Sequence, residues 1–196
     1  SLTEWLQGMQ QGSIVLLAVI MGLMLAFDMG GPINKVAYAF MLICVAQGVY
    51  TVVAIAAVGI CVPPLGLGLA TLIGRKNFSS EEREAGKAAL VMGCVGVTEG
   101  AIPFAAADPL RVIPSIMVGT ASATVTAALF GAQCYAGWGG LIVLPVVEGK
   151  LGYIAAVAVG AVVTAVCVNV LKSLARKKVS QVDQKEDDLD LDFEMN

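Results

Sequence analysis

The chain has 196 residues, of which 58% are hydrophobic and only 14% charged, with a mean hydropathy of +0.83. Soluble chains average about 25% charged residues, so this composition excludes a water-soluble globular domain and makes lipid the expected solvent. The strict alternation of a transmembrane β-barrel is absent, which leaves helices as the spanning elements. The expected class is therefore an all-α polytopic integral membrane protein.

The five cysteines, Cys44, Cys61, Cys94, Cys134 and Cys167, are scattered singly, and no Cys-x-x-Cys occurs. Neither a disulfide framework nor a zinc site is expected from that pattern. The absence of histidine removes imidazole metal ligands, a Ser-His nucleophile system and a phosphohistidine carrier. No catalytic residue, metal, cofactor or nucleic-acid partner is expected. The net charge of -3 is set by Asp183 to Glu194, where seven acids accompany one lysine. The first residues lack the basic n-region of a cleavable signal peptide.

A spanning helix needs about 20 mostly apolar residues. The first candidate runs from Gly12 to Phe27, with Trp5 before it as an interfacial anchor. Val36 to Ile73 carries no charge and is too long for one span. Pro63-Pro64 is expected to divide it into a helix of about Val36 to Cys61 and a shorter piece, Leu65 to Ile73. Arg75 to Lys87 is hydrophilic, and Ser79 or Ser80 followed by glutamates reads as a helix start. Ala88 to Ala107 is apolar but broken by Glu99, Gly100 and Pro103. Val112 to Phe130 is a better span. Gly131 to Glu148, with several glycines, Trp138 and Pro145, fits a re-entrant hairpin.

The last apolar run, Leu151 to Leu171, is followed by Lys172, Arg176, Lys177 and Lys178. The two basic clusters should both face the cytoplasm, with an even number of crossings between them. Residues 1–175 are read as the membrane part, and 176–196 as a disordered acidic cytoplasmic tail.

Four acids remain outside the first residues, the hydrophilic loop and the tail: Asp28, Glu99, Asp108 and Glu148. Three have a basic neighbour in sequence (Lys35, Arg111 and Lys150), and structural pairs are expected there. Asp108-Pro109 also has the form of a helix start, with Asp as cap and Pro in the first turn. Glu99 differs, because Lys87 and Arg111 are each 12 positions away. A carboxyl at membrane depth costs about 2.5 kcal/mol or more and is a functional candidate by default. Its carboxylate can accept hydrogen bonds from neighbouring polyol hydroxyls. The bland alternative is a Glu that pairs with a distant Lys or Arg across the bundle. A second candidate is Gly30 to Lys35, where Asn34 offers both a donor and an acceptor.

These segments resemble one family. Ala26-Phe-Asp-Met-Gly-Gly-Pro-Ile-Asn-Lys-Val-Ala-Tyr38, Val62-Pro-Pro-Leu-Gly66, Glu81-Glu-Arg-Glu-Ala-Gly-Lys87 and Thr98-Glu-Gly-Ala-Ile-Pro-Phe-Ala-Ala-Ala-Asp-Pro-Leu-Arg-Val-Ile-Pro114 occur in order. The array, from about Phe27 to Pro145, is similar to the enzyme IIC membrane component of bacterial fructose-type phosphotransferase permeases.

The resemblance implies a multi-pass inner-membrane sugar permease with its C-terminus in the cytoplasm. The sugar would be phosphorylated by a IIB partner that is recharged by IIA, so the chain alone is not an enzyme. It also implies that Glu99 lies at the sugar site on a re-entrant hairpin, with Thr98, Asn34 and Asp28 as further substrate-binding residues. Family members extend upstream through further spans that carry the expected homodimer contact, so the match is to the C-terminal part. Where the family shows Ala-Pro-His-Gly-Gly, this chain has Ala136-Gly137-Trp138-Gly139-Gly140, which points to a sugar other than fructose. Two other readings stay open: an inactive permease remnant, and an ion-coupled secondary carrier in which Glu99 titrates.

Overall fold

A computed structural model describes the backbone of residues 13–194 and the side chains of residues 13–176. Seven helices account for most of it: α1 (Ile14–Phe27), α2 (Pro32–Ala46), α3 (Tyr50–Ile73), α4 (Ser80–Val95), α5 (Ile102–Ala107), α6 (Pro109–Leu129) and α7 (Lys150–Glu194). Short 3-10 turns lie at Arg75–Asn77, Thr98–Ala101 and Leu141–Val146. Two-residue strands, β1 (Gln133–Cys134) and β2 (Val147–Glu148), pair antiparallel. The all-α reading holds. Trp5 lies outside the described residues, and so do the side chains of the acidic tail expected to be disordered, whose backbone continues α7 to Glu194.

Among the described residues, three helices are long and apolar enough to cross a membrane: α3, α6 and the Lys150–Arg176 part of α7. The 24 residues of α3 span about 36 Å. Its most apolar window is 94% buried inside the chain, whereas that of α7 is 39% buried. The central helix is thus sheathed by protein, and α7 presents apolar residues such as Val162, Val166 and Val170 outward, as a lipid-facing helix must. Small residues allow close approach along these seams. Thr164 of α7 sits against Gly66 of α3 and Gly119 of α6, and Thr124 of α6 against Gly22 of α1.

The break expected at Pro63-Pro64 is not there. Both prolines lie inside α3, and the chain turns instead at Gln47-Gly48-Val49, where Gly48 has φ +73°. Proline in a helix withholds an N–H from the carbonyl four residues earlier. For Pro64 that carbonyl is Ile60, and the Thr98 hydroxyl donates to it at 3.2 Å. A tertiary donor thus takes the place of the missing backbone one, and the helix continues.

The hydrophilic start of α4 is a full capping box. The Ser79 hydroxyl accepts from Glu82 N–H at 3.1 Å, while the Glu82 carboxylate accepts from Ser79 N–H at 2.8 Å. From there α4 rises for 16 residues, about 24 Å, and ends at Gly96 with φ +87°. The chain then reverses through Thr98–Ala101 and returns along α5 to Asp108. This re-entrant hairpin packs along α3, with Gly68 close to Leu90 and Gly93 close to Leu65.

Three more elements reverse or converge. α1 and α2 are 14 and 15 residues long and joined by a tight turn at Asp28 to Gly31. The Gly131 to Glu148 segment leaves and returns over the β1–β2 pair, as a hairpin should. The two basic clusters meet at one end of the bundle: Lys172 pairs with Glu82, and Arg176 donates to the Lys76 carbonyl at 2.8 Å. Between them lie a returning hairpin and two helices long and apolar enough to cross, α6 and the Lys150–Arg176 part of α7.

Candidate functional site

At Ile60, midway along α3, the tips of the three reversing segments come together around a cavity of about 350 Å³. The α1–α2 hairpin supplies Asn34, Lys35 and Tyr38. The α4–α5 hairpin supplies Gly96, Val97, Thr98 and Glu99, and the β-based hairpin supplies Trp138. Side chains at positions 34, 35 and 38 share a face of the first turns of α2, because neighbours on a helix lie three and four residues apart. Ile60 is 13 residues, or about 20 Å, from the end of α3 at Ile73, so the cavity lies near the middle of a span.

Each reversing tip is fixed locally. The Asp28 carboxylate accepts from the N–H groups of Ile33 at 2.7 Å and Asn34 at 2.9 Å, satisfying two of the free donors that begin every helix. The turn it closes carries Met29 at φ +47° and Gly30 at φ +110°. A bulky residue at positive φ is unusual, and it is held here because Met29 is buried, 7% exposed, in the core beneath. Gly30 has a second reason to be glycine: a Cβ there would come within 2.6 Å of Glu99 Oε1. The two hairpins are therefore in contact at the carboxylate.

The hairpin carrying Trp138 is tied down at both flanks. Trp138 Nε1 donates to the Val95 carbonyl at 2.7 Å, and Tyr153 Oη donates to the Gly140 carbonyl at 2.8 Å. Tyr38 Oη donates to the Gly137 carbonyl at 3.1 Å, and the Tyr38 and Trp138 rings meet edge to face with centroids 6.2 Å apart. At the base, Tyr135 donates to Glu148 at 2.7 Å, and this bond to the carboxylate raises the Tyr135 pKa above the ordinary phenol value.

Glu99 and Lys35 face each other across the cavity, with Nζ and Oε1 3.6 Å apart and the side chains 42% and 63% exposed. The bland alternative, a distant basic partner, is thus met for Glu99. It is met by the lysine expected to pair with Asp28. Of the three local pairs expected, only Asp108–Arg111 forms, at 2.9 Å. Glu148 takes Tyr135 instead of Lys150, and Asp28 takes backbone donors. Pro109 does sit in the first turn of α6, but the Asp108 carboxylate is used by Arg111 and makes no cap hydrogen bond.

The Lys35–Glu99 separation matters chemically. It exceeds a direct hydrogen bond, yet leaves an ammonium donor and a carboxylate acceptor side by side. A single hydroxyl can donate to one and accept from the other, and both bonds are charge-assisted. Asn34 is 5% exposed, and its amide nitrogen already donates to the Leu25 carbonyl at 2.6 Å, which leaves its side-chain oxygen as acceptor. The Tyr38 and Trp138 rings add aromatic surface to the same cavity. Polar groups beside aromatic surface suit a compact ligand with both hydroxyls and C–H groups.

Of the four residues singled out from sequence, Asn34, Thr98 and Glu99 line the cavity, and Asp28 does not. Thr98 commits its hydroxyl hydrogen to Ile60. Lys35, Tyr38 and Trp138 were not singled out as site residues. Lys35 and Tyr38 could have been found as the helical neighbours of Asn34, whereas nothing local marks Trp138 as reaching Val95.

Comparison with known proteins places these residues in context. The chain is 90% identical over all 196 residues to "Fructose-like permease IIC component 2" of Escherichia coli (strain K12), covering 55% of that protein. It is 43% identical over 177 residues, 90% of this chain and 58% of the relative, to "Fructose permease IIC component" of Bacillus amyloliquefaciens. It is 49% identical over 174 residues to "PTS system fructose-specific EIIB'BC component" of Xanthomonas campestris pv. campestris, covering 87% of this chain and 30% of that one. The chain spans little more than half the length of the IIC relatives it matches. No family model and no solved structure matches it. The identity along its whole length, together with its long apolar helices, makes this chain the counterpart of part of the IIC membrane components of the fructose-type phosphotransferase system.

Proposed function

We propose that the chain forms the sugar-binding and translocating part of a fructose-like, phosphoenolpyruvate-dependent phosphotransferase permease. The observation that carries this reading is the convergence of three reversing segments on a mid-span cavity with the Lys35–Glu99 pair at its mouth. Broken backbone at that depth is tolerated where it lines a substrate cavity. Glu99, Lys35 and the Asn34 oxygen would hold sugar hydroxyls. Thr98 and Asp28 would act by positioning, one by seating the hairpin on α3 and the other by closing the turn beside Glu99.

The relatives named EIIB'BC and EIIABC join such a segment to IIB and IIA in one protein, which supports those two components as partners. Phosphate transfer then belongs to IIA and IIB, and the membrane part presents the sugar. The basic ends of the bundle, including Lys172 and Arg176, support a cytoplasmic C-terminus in the bacterial inner membrane. A dimer contact outside this segment is part of the same reading.

The test is phosphoenolpyruvate-dependent uptake across a panel of sugars by membranes containing the chain, IIA, IIB and the remaining IIC spans. Glu99→Gln should abolish uptake of whichever sugar is taken, without changing the amount of inserted protein. Full uptake by the variant would remove Glu99 from the site. Uptake that needs a proton gradient and no phosphocarrier would overturn the function itself.

A further inference from the structure

Some 20 Å from the cavity, at the end of the bundle where α3 and the apolar part of α7 finish and α6 begins, lies a second, basic pocket of about 280 Å³. Lys76 from the turn after α3, Arg111 from the first turn of α6, and Lys172 and Arg176 from α7 line it, facing one carboxylate, Asp108. Among the described residues, cationic capacity is left unused. Lys172 is neutralised by Glu82 and stacked over the Phe78 ring at 4.3 Å, but Arg111 is 42% exposed with one nitrogen on Asp108. Arg176 gives one nitrogen to the neutral Lys76 carbonyl, and Lys76 and Arg176 are exposed. Converging Arg and Lys donors are the standard means of holding a phosphate group.

The surroundings indicate where that phosphate comes from. All three spanning helices end or begin here, which places the pocket at the boundary between hydrocarbon and water. Exposed apolar side chains neighbour its cations in sequence: Leu110, 86% exposed, precedes Arg111, and Ile73, 66% exposed, ends α3 three residues before Lys76. A soluble phosphate gains nothing from that boundary, whereas a lipid has its acyl chains there.

We propose that this pocket seats the phosphate of an anionic phospholipid, with the acyl chains on the hydrocarbon side of that boundary. The inference rests on the membrane setting and is independent of which solute the cavity takes. A basic residue near a membrane surface contributes about 1 kcal/mol toward an anionic lipid, or about fivefold in affinity. Removing two of the exposed cations should weaken binding roughly 25-fold.

The experiment titrates phosphatidylglycerol and phosphatidylcholine against the purified full chain in detergent and reads bound lipid by native mass spectrometry. Phosphatidylglycerol should bind more tightly. Arg111→Gln/Arg176→Gln should lose that preference, and Lys150→Gln at the opposite end of α7 should keep it. Because Arg111 also pairs with Asp108, Lys76→Gln on the exposed turn serves as a milder variant, with about fivefold loss expected. Equal binding of the two lipids, or equal loss in Lys150→Gln, would overturn the proposal. So would displacement of phosphatidylglycerol by inorganic phosphate or a phosphopeptide, since the ligand would then be soluble.

Discussion

Gly30→Ala is the sharpest perturbation of the cavity that leaves every polar group in place. The new methyl would start 2.6 Å from Glu99 Oε1 and 2.8 Å from its Cδ. Restoring ordinary contact at about 3.4 Å or more requires the carboxylate to retreat by about 0.8 Å, which widens the Lys35 separation beyond its present 3.6 Å. A hydroxyl that bridges the two charges then loses one of two charge-assisted bonds. Such bonds contribute about 1.5–3 kcal/mol, so sugar affinity should fall by about ten- to 150-fold.

The substitution also forces alanine to φ +110°, at a backbone cost of about 1–3 kcal/mol. Gly48→Ala separates the two effects. Gly48 has φ +73° but open space around it, so it carries strain without contact. Sugar binding measured by isothermal calorimetry, beside thermal melting in detergent, distinguishes the outcomes. Both variants should melt earlier, and only Gly30→Ala should bind sugar weakly. Wild-type affinity in Gly30→Ala, or an equal loss in Gly48→Ala, would refute the argument that the two hairpins meet at the carboxylate.

Thr98→Val should destabilise the chain by about 1–3 kcal/mol, because the Ile60 carbonyl is left without a donor; Thr98→Ser should restore most of the loss in a thermal melt. Trp138→Phe keeps an aromatic ring but removes the bond to the Val95 carbonyl, so binding should weaken with little change in the amount of inserted protein, as read by equilibrium binding on purified protein. Ser79→Ala breaks the capping box and should cost about 1 kcal/mol in denaturant unfolding, with sugar affinity unchanged because the cap is about 24 Å from the hairpin tip.

The class of the fold was legible because composition alone excludes water as the solvent. The start of α4 was legible because a capping box is local chemistry: Ser79 and Glu82 are three residues apart and satisfy each other. Glu99 stood out for the same kind of reason, as a carboxyl in an apolar run broken by Gly100 and Pro103. The rule that proline ends a helix failed at Pro63-Pro64, since it assumes that the freed carbonyl has nowhere to go. Thr98, 38 positions from Ile60, answers that need, and no local pattern announces it. Lys35 reaches Glu99 across 64 positions for the same reason: sequence neighbours fixed its expected partner, while packing of two hairpins fixed its actual one. Trp138 drew notice as a departure from a motif, but its place beside Tyr38 depends on how the third hairpin folds back.

The Thr98–Ile60 bond has a mechanical consequence. If the α4–α5 hairpin were to slide away from α3 during transport, the Ile60 oxygen would be left bare in an apolar interior where neither water nor Pro64 can cover it. Withdrawal on its own is therefore penalised, and the hairpin tip and central helix should travel as one rigid body. The α1–α2 hairpin packs on that body through apolar side chains such as Leu25 and Met29, and at the two hairpin tips a 3.6 Å charge contact and the close approach at Gly30 join the polar groups. A solute entering between Lys35 and Glu99 would act as a wedge between the two hairpin tips.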